Sequence, residues 1–240
     1  MIDETDTLKA QAAALAVGYV TDGMVLGLGT GSTADFFLRA LGARVAAGLR
    51  VVGVPTSVRS EARARELGIP LTTLDAHPLL DITVDGADEV ELAGLSLVKG
   101  RGGALLREKL VAAATVLEVI IVDAGKVVPL LGRALVPVEV IPFGWMGTAA
   151  RLTALGAVPQ LRSANPAGDR PANPAEHAYV TDSGNFILDC QWPPITDPPA
   201  LAAAVKALTG VVEHGLFIGL AGRVIVAAAD GVQIYDRPAT

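Results

Sequence analysis

Apolar runs alternate with helix-forming stretches along the first half of the chain. The runs have the length and the Val, Leu and Ile content of buried strands, and they lie at residues 24–28, 50–54, 70–74, 81–84 and 119–122. Helical patterns separate several of them, at residues 34–41, 58–67 and 104–115, and the first 20 residues read as a further helix. This alternation predicts an α/β fold with a Rossmann-like, mostly parallel sheet and helices on both faces.

The order of elements changes after residue 132. The later strand patterns lie at residues 136–141, 158–161, 185–190 and 211–217, with helical patterns at 148–155 and 199–208. Their order, βαββαβ, is that of the ferredoxin-like α+β arrangement. Two last strand patterns, at 223–228 and 232–235, flank a hairpin turn and are expected to rejoin the first sheet. We therefore predict a Rossmann-like domain of residues 1–134 and 219–240, and a smaller ferredoxin-like domain of residues 135–218.

Composition and charge limit the kinds of molecule that the protein is expected to bind. The chain of 240 residues is 51% hydrophobic and only 4% aromatic, and it carries a formal net charge of −6. Because nucleic acids are bound by basic faces and aromatic platforms, we expect no nucleic-acid partner. No apolar run approaches the length of a membrane span, and the first 20 residues lack the features of a signal peptide. With Cys190 as the single cysteine, the sequence indicates a cytoplasmic protein without membrane contact.

The stretch from residue 81 to 109 gathers the groups of a catalytic centre. Four residues leave the carboxyl end of the strand at 81–84, where open α/β sheets bind ligands: Asp85, Gly86, Ala87 and Asp88. The chain continues with a lysine, a glycine-rich turn and a helical glutamate: Lys99, Gly100, Arg101, Gly102, Gly103 and Glu108. Carboxylates move protons, and a cation with backbone amides stabilises an oxyanion. The combination favours proton transfer beside a carbonyl group.

The acidic residues also have simpler interpretations. Asp85 and Asp88 are of a type common at strand ends, and as a close pair they could bind Mg²⁺, although the chain offers no third obvious ligand. Glu108 could be an ordinary surface charge. Its neighbours on the same helical face are apolar, however: Ala104, Leu105, Val111 and Ala112. Burial there would raise the pKa of Glu108 towards neutrality, where a carboxyl group can both take and return a proton.

A second motif, GLGTGST at residues 27–33, is suited to bind an anion. It lies between a predicted strand and a predicted helix, so phosphate or carboxylate could be held by the amides and hydroxyls of Thr30, Gly31, Ser32 and Thr33. The motif is neither a Walker loop nor a dinucleotide fingerprint, and a plain capped turn is the alternative. Lys126 follows another strand and could reach the same pocket. The histidines at 77, 177 and 214 lie outside every motif and are expected at the surface or in loops.

Seven sequence blocks resemble those of a known family and occur in its order. They are GLGTGST at 27–33, PTS with a following helix at 55–68, VDGADE at 84–89, KGRGGALLREK at 99–109, DAGK at 123–126, PVEVIPF at 137–143 and VTDSGNFILD at 180–189. The chain resembles the ribose-5-phosphate isomerase A family over nearly its whole length, most specifically in the third and fourth blocks. The resemblance implies interconversion of D-ribose 5-phosphate and D-ribulose 5-phosphate, with a small-molecule sugar phosphate as partner and without a metal or organic cofactor.

The resemblance also implies roles for individual residues. Glu108 would be the general base, and Asp85, Asp88 and Lys99 would assist ring opening and stabilise charge on the substrate oxygens. Contacts with substrate would come from Thr30, Gly31, Ser32, Thr33, Gly86, Ala87, Gly100, Arg101, Gly102 and Lys126. Arg101 stands where glycine is common in the family, which leaves its role open. The proline-rich loop at 163–177 is longer than the family's usual connection.

Two other functions fit a related fold. A sugar-phosphate-sensing domain of DeoR-type regulators would bind a similar ligand without turnover, but residues 1–20 are too short for a DNA-binding module. A CoA-transferase-like enzyme would use a glutamate as a nucleophile, against which the GTGST turn and the DGAD pair argue. Sheet edges in the second domain favour self-association, and we expect a homodimer or homotetramer.

Overall fold

The computed structural model describes residues 4–165 and 174–237. The first ten helices and strands are α1 (Glu4–Val17), β1 (Val25–Leu28), α2 (Ser32–Ala46), β2 (Val52–Pro55), α3 (Val58–Glu66), β3 (Leu80–Asp85), β4 (Glu89–Glu91), β5 (Ser96–Val98), α4 (Leu105–Ala113) and β6 (Thr115–Asp123). The later ones are β7 (Val136–Val140), α5 (Trp145–Ala154), β8 (Val158–Leu161), β9 (Phe186–Gln191), α6 (Pro198–Lys206), β10 (Val211–His214), β11 (Leu216–Phe217), β12 (Ala221–Ala228) and β13 (Gly231–Asp236). Short 3-10 helices lie at Ala124–Lys126 and Pro174–His177.

The six-stranded central sheet has the order β13-β12-β6-β3-β1-β2. Neighbouring strands are parallel except β12 and β13, which form an antiparallel hairpin. Successive side chains of a strand point to opposite faces, and both Ile120 and Ile121 of β6 are fully buried. Ile121 belongs to a core cluster with Phe37 of α2, and Ile120 to one with Ala112 of α4. The predicted α/β fold, with helices on both faces of a mostly parallel sheet, is therefore confirmed.

A four-stranded antiparallel sheet forms the second part of the fold, in the order β10-β7-β9-β8. Helix α5 connects β7 with β8, and α6 connects β9 with β10, which gives the predicted βαββαβ order. Its core joins Leu152 of α5 and Val205 of α6 to Val138 and Leu188 of the sheet. A separate ferredoxin-like unit is thus present, while its limits at residues 135 and 218 stay a prediction.

A third sheet, which the sequence did not indicate, connects the two parts. Strands β4 and β5 form a hairpin, and β11 pairs with β5. The predicted strand at 211–217 is in fact divided at Gly215, so that β10 lies in the four-stranded sheet and β11 in this small one. Gly215 donates its N–H to the carbonyl of Pro137 at 2.7 Å and accepts the N–H of Lys99 at 2.8 Å. The backbone of Lys99 is therefore held by the second part of the fold.

The predicted strand at 70–74 is wrong. Leu71 makes only an isolated parallel bridge with Gly53 of β2. The backbone bonds on either side of this bridge use Pro70 and Thr72, after which the chain turns at Thr73. An apolar run can satisfy the strand pattern without continuing the ladder at the sheet edge. Of the proline-rich loop predicted at 163–177, residues 166–173 lie outside the described ranges.

Candidate active site

A cavity of about 550 Å³ lies at the carboxyl edge of the central sheet. The loops after the parallel strands β1, β3 and β6 meet there, since parallel strands end at the same edge of a sheet. The predicted site residues that line it are Thr30, Gly31, Ser32, Thr33, Gly86, Ala87, Asp88, Lys99, Gly100, Arg101, Gly102, Glu108 and Lys126. Asp85 is buried next to it and contacts Lys99. The structure thus brings all the predicted site residues together.

The ammonium group of Lys99 lies at the centre of this site and is 2% exposed. Its Nζ is 2.9 Å from Asp85 Oδ2 and 3.7 Å from Glu108 Oε2. It also donates to the carbonyl of Gly86 at 2.5 Å and lies 5.4 Å from the centre of the Phe217 ring. Burial alone would lower the pKa of Lys99, but the charges of the surrounding carboxylates, Asp85 first, outweigh burial and raise it. Lys99 is therefore a permanent cation.

Asp85 connects this cation to the anion-binding loop. Its Oδ1 accepts the N–H groups of Thr30 at 3.1 Å and Gly86 at 2.7 Å, while Oδ2 faces Lys99. The approach of the loop is so close that a Cβ on Gly29 would lie 2.4 Å from Asp85 Oδ1. Only glycine fits there. Asp85 therefore fixes the loop and the lysine relative to each other.

Glu108 is a buried carboxyl group one turn into α4, with 4% of its surface exposed. Its Oε2 has no hydrogen-bond partner among the described residues, apart from the ion-pair approach of Lys99. Burial raises the pKa of Glu108 to about 8, with Lys99 opposing the shift and the negative charges of Asp85 and Asp88 adding to it. A carboxyl group in this condition exchanges a proton readily near neutral pH.

The glycine turn after β5 holds the second aspartate. Asp88 Oδ2 accepts the N–H of Arg101 at 3.0 Å. Gly100 and Gly103 have φ angles of 105° and 84°, which glycine adopts without strain. Arg101 needs no such conformation, because Leu95 is the only residue other than glycine with positive φ in the described part of the chain. Its side chain is exposed, so arginine fits this position of the turn, where the resemblance implies glycine.

The GTGST loop presents hydrogen-bond donors to the same cavity. Ser32 begins α2, a helix of 15 residues, so the amides at its start face the cavity with the positive end of the helix dipole. Behind the loop, Thr30 Oγ1 makes hydrogen bonds of 2.8 Å with Thr56 Oγ1 and with Ser57 Oγ. The PTS block at 55–57 thus supports the loop from β2.

Lys9 is a cavity residue that the sequence interpretation missed. It lies on α1, lines the cavity together with Lys126, and pairs with Asp6 at 3.1 Å. The signal available in the sequence was the scarcity of lysine: of five lysines, Lys9, Lys99 and Lys126 line this cavity.

A second ionic cluster fastens the helix that carries Glu108. Lys109 donates to Glu213 Oε1 at 2.7 Å and to the carbonyl of His214 at 2.6 Å. The expectation that His214 is a surface or loop residue is wrong, since it is 5% exposed at the end of β10. Burial lowers the pKa of His214 to about 4, with the charge of Lys109 acting in the same direction.

Within residues 4–165 and 174–237, no group of three or more His, Cys, Asp or Glu is placed to hold a metal ion.

A charged lysine among carboxyl groups, beside an anion-binding loop at the ligand edge of a doubly wound sheet, defines an enzyme that transfers protons next to a carbonyl group of an anionic substrate. Residues 52–231 match the sequence model of ribose 5-phosphate isomerase A, or phosphoriboisomerase A. The chain belongs to the ribose 5-phosphate isomerase A family. The interpretations as a sensor domain of a regulator or as a CoA-transferase-like enzyme are therefore wrong.

Relatives and solved structures agree with this assignment over nearly the whole chain. The ribose-5-phosphate isomerase A of Bradyrhizobium diazoefficiens is 52% identical over 238 residues, which are 97% of this chain and 96% of that one. That of Gloeobacter violaceus is 51% identical over 98% of this chain and 99% of its own. The structure of ribose 5-phosphate isomerase A from Methanocaldococcus jannaschii has a TM-score of 0.89 and 39% identity, and covers 97% of this chain and 100% of its own. A D-ribose-5-phosphate isomerase in complex with phospho-erythronic acid has a TM-score of 0.90 and 37% identity, over 98% of this chain and 100% of that one.

The burial of Glu108 predicts a pH-dependent cost to stability. An unfolded glutamate loses its proton near pH 4.5, whereas folded Glu108 keeps its proton up to about pH 8. Because the folded state binds this proton more tightly, the free energy of unfolding decreases as pH rises from 4.5 to 8, and Glu108→Gln removes the decrease. Between pH 5 and 8.5, urea unfolding should show the variant gaining more than about 1 kcal/mol relative to the wild type, since one pKa unit is worth about 1.4 kcal/mol.

The matched control is Glu66→Gln, at a side chain that is 64% exposed. The free energy of unfolding of this variant should change with pH in the same way as that of the wild type. If the free energy of unfolding of Glu108→Gln also followed the wild type across this pH range, a strongly raised pKa for Glu108 would be contradicted.

Proposed function

We propose that Glu108 is the base with which this ribose 5-phosphate isomerase interconverts D-ribose 5-phosphate and D-ribulose 5-phosphate. The observation that supports this role is its buried carboxyl group, 3.7 Å from the permanent cation Lys99. Starting from the opened aldose, Glu108 takes the proton from C2, the electron pair of the C2–H bond forms a C1=C2 double bond, and negative charge collects on O1. Return of the proton to C1, with transfer of the O2 hydroxyl proton to O1, gives the ketose.

Lys99 supplies the charge that this enediolate needs. Its ammonium group is held in place by Asp85 and the carbonyl of Gly86, so it requires no rearrangement when negative charge develops. Fixed donors of this kind lower such barriers by about 3–4 kcal/mol. The mechanism therefore uses neither a metal ion nor an organic cofactor, because a protein cation takes the place of a Lewis acid.

Asp88 is the carboxylate that we assign to the ring-opening step. It lines the cavity, whereas Asp85 is buried and occupied by Lys99 and two backbone amides. Among the described residues, one backbone donor holds the Asp88 carboxylate, the N–H of Arg101, which leaves its other oxygen able to exchange a proton with a sugar hydroxyl. The two aspartates of the DGAD motif thus have different tasks.

We assign the binding of the substrate's phosphate group to the start of α2 and to two lysines from other parts of the chain. The backbone amides of Gly31 to Thr33 lie at the N-terminus of α2, the positive end of its dipole. Lys9 and Lys126 line the same cavity. In a chain with a net charge of −6, such a local set of cations is needed to attract a dianionic group.

Replacement of the base tests the central assignment. Glu108→Gln keeps the shape of the side chain but cannot accept a proton, so we expect kcat to decrease by about 10² to 10⁴, with the KM for ribose 5-phosphate changed only a few-fold. In the wild type, kcat/KM should rise with pH up to about 8, the pH at which Glu108 ionises. Ketose formation measured across pH 5–9 checks both expectations, with Glu66→Gln as the control. Near-wild-type turnover of Glu108→Gln would exclude it as the base.

The phosphate assignment is tested at Lys126. Lys126→Met should raise the KM for ribose 5-phosphate about tenfold or more while kcat changes little, because the lost contact is made in ground state and transition state alike. Inorganic phosphate should also become a weaker competitive inhibitor. Arg50→Met is the control, because it removes the same charge from a side chain that is 84% exposed. Equal effects of the two substitutions would indicate loss of general charge and not of a phosphate contact.

We also propose that the protein acts in the cytoplasm as a homodimer or homotetramer and binds neither nucleic acid nor membranes. The helices in the described ranges include none that is long and apolar enough to cross a bilayer. An apolar patch of Ile141, Phe143 and Met146, exposed by 48%, 94% and 63%, supports self-association.

Light scattering should therefore give two or four times the chain mass of 24.6 kDa. Phe143→Asp should shift the distribution towards the monomer, because a charge in the patch would have to be desolvated on assembly. Val116→Asp, at another exposed apolar position, should not. A wild-type species of 24.6 kDa alone would contradict self-association.

A further inference from the structure

Arg162, the residue after β8, connects the antiparallel unit to the glycine turn of the active site. Its Nε and Nη2 bind the two carboxylate oxygens of Asp189 on β9 at 2.9 and 2.5 Å. Its Nη1 donates to the carbonyl oxygens of Gly100 at 3.2 Å and Arg101 at 3.1 Å. The side chains of Arg162 and Asp189 are only 15% and 19% exposed. One guanidinium group thus uses its planar set of donors in two directions at once.

These two carbonyl contacts fix the orientation of two peptide groups. In a trans peptide, the C=O of one residue and the N–H of the next point in opposite directions. Since the carbonyl of Gly100 faces Arg162, the N–H of Arg101 faces away from it, and this N–H holds Asp88 at 3.0 Å. The carbonyl of Arg101 also faces Arg162, so the N–H of Gly102 is directed away from it in turn. Gly102 lines the cavity, and its N–H has no acceptor among the described residues.

The turn itself has little to hold it in this conformation. Gly100 and Gly103 give its backbone more freedom than other residues would, and its own backbone contributes one hydrogen bond of 3.0 Å between them. Tyr179 packs so closely on the turn that a Cβ on Gly103 would lie 2.2 Å from its Oη. The guanidinium of Arg162 lies 5.8 Å from the ring of the same tyrosine. The antiparallel unit therefore supports the turn from outside, through Arg162 and Tyr179.

We propose that Arg162, held by Asp189, is a positioning residue for the isomerisation. It orients the two peptide groups of the turn, one towards Asp88 and the other towards the substrate. The proposal rests on the role assigned to Asp88 and goes beyond it, because it makes the antiparallel unit part of the catalytic apparatus. A residue that only joined the two units would affect stability and leave turnover of the folded enzyme unchanged.

Two substitutions separate these roles. Arg162→Met removes all the contacts, and Arg162→Lys keeps the charge but cannot reach both carbonyls and both carboxylate oxygens. We expect kcat to decrease about 10- to 100-fold in both, as for a small misplacement of reacting groups, while the KM for ribose 5-phosphate changes less than about threefold. The rise of kcat/KM towards about pH 8 should persist, because Glu108 is untouched.

Arg151→Met is the matched control. Arg151 lies in the same unit and bonds to the carbonyl of Thr209 at 2.8 Å and to Thr148 Oγ1 at 3.2 Å, with no contact to the turn. Its kcat should stay at the wild-type value. The proposal is overturned if folded Arg162→Met or Arg162→Lys keeps kcat within about twofold of the wild type, or if Arg151→Met loses as much.

Asp189→Asn provides the test if the Arg162 variants do not fold. Because asparagine can still accept one hydrogen bond, this substitution should lower kcat only about 3- to 10-fold, and wild-type kcat would contradict the proposal. Measuring Glu108→Gln in the same assay distinguishes the proposal that Glu108 is the base from the proposal that Arg162 is a positioning residue. Loss of activity in Glu108→Gln with full activity in the Arg162 variants would refute only the positioning role. An active Glu108→Gln would instead refute the assignment of the base.

Discussion

The buried ammonium group of Lys99 is the charge on which the arrangement of the site depends. A lone buried cation would cost several kcal/mol, and Asp85 at 2.9 Å compensates for that cost. Asp85 in turn is fixed by the N–H groups of Thr30 and Gly86, so the anion-binding loop, the DGAD segment and the lysine form one electrostatic unit. Glu108 is buried in the same place, and Asp85 already balances the lysine, so burial and the negative charge of Asp85 raise the pKa of Glu108 despite the nearby ammonium group.

A second buried glutamate behind the cavity, Glu118, also has a pKa that burial raises. Glu118 of β6 lies opposite Thr83 of β3 in the central sheet and is 2% exposed. Burial, and after it the negative charge of Asp85, raise the pKa of Glu118 well above its ordinary value. Glu118 therefore holds its proton more tightly than an exposed glutamate does. The network behind the cavity contains one cation and three carboxyl groups, and Asp85 is the one that lies closest to the ammonium group, at 2.9 Å.

The sequence predicted those features of the fold and the site that are encoded locally. The runs at 24–28 and 119–122 have the composition of buried parallel strands, and the VDGADE and KGRGGALLREK blocks contain the carboxylates, the lysine and the glycine turn together. Features that depend on distant partners were missed. β4 and β5 have three residues each, too few to show a periodicity, and buried His214 contacts Lys109, which is 105 positions away in the chain. The prediction of a strand at 70–74 failed for a similar reason, since in the part of the chain that the structure describes this run makes one isolated bridge, between Leu71 and Gly53.

The division of labour between the two parts of the fold follows from what each can supply. The parallel sheet brings Asp85, Asp88 and the anion-binding loop to one edge, because loops after parallel strands converge there. It cannot by itself fix the glycine-rich segment that lies across that edge. The antiparallel unit does so at two points: Gly215 accepts the N–H of Lys99, and Arg162 holds the carbonyls one and two residues further on. Lys99 and the glycine turn that follows it are thereby fixed from outside the sheet on which the acids reside, so the site requires both parts of the chain.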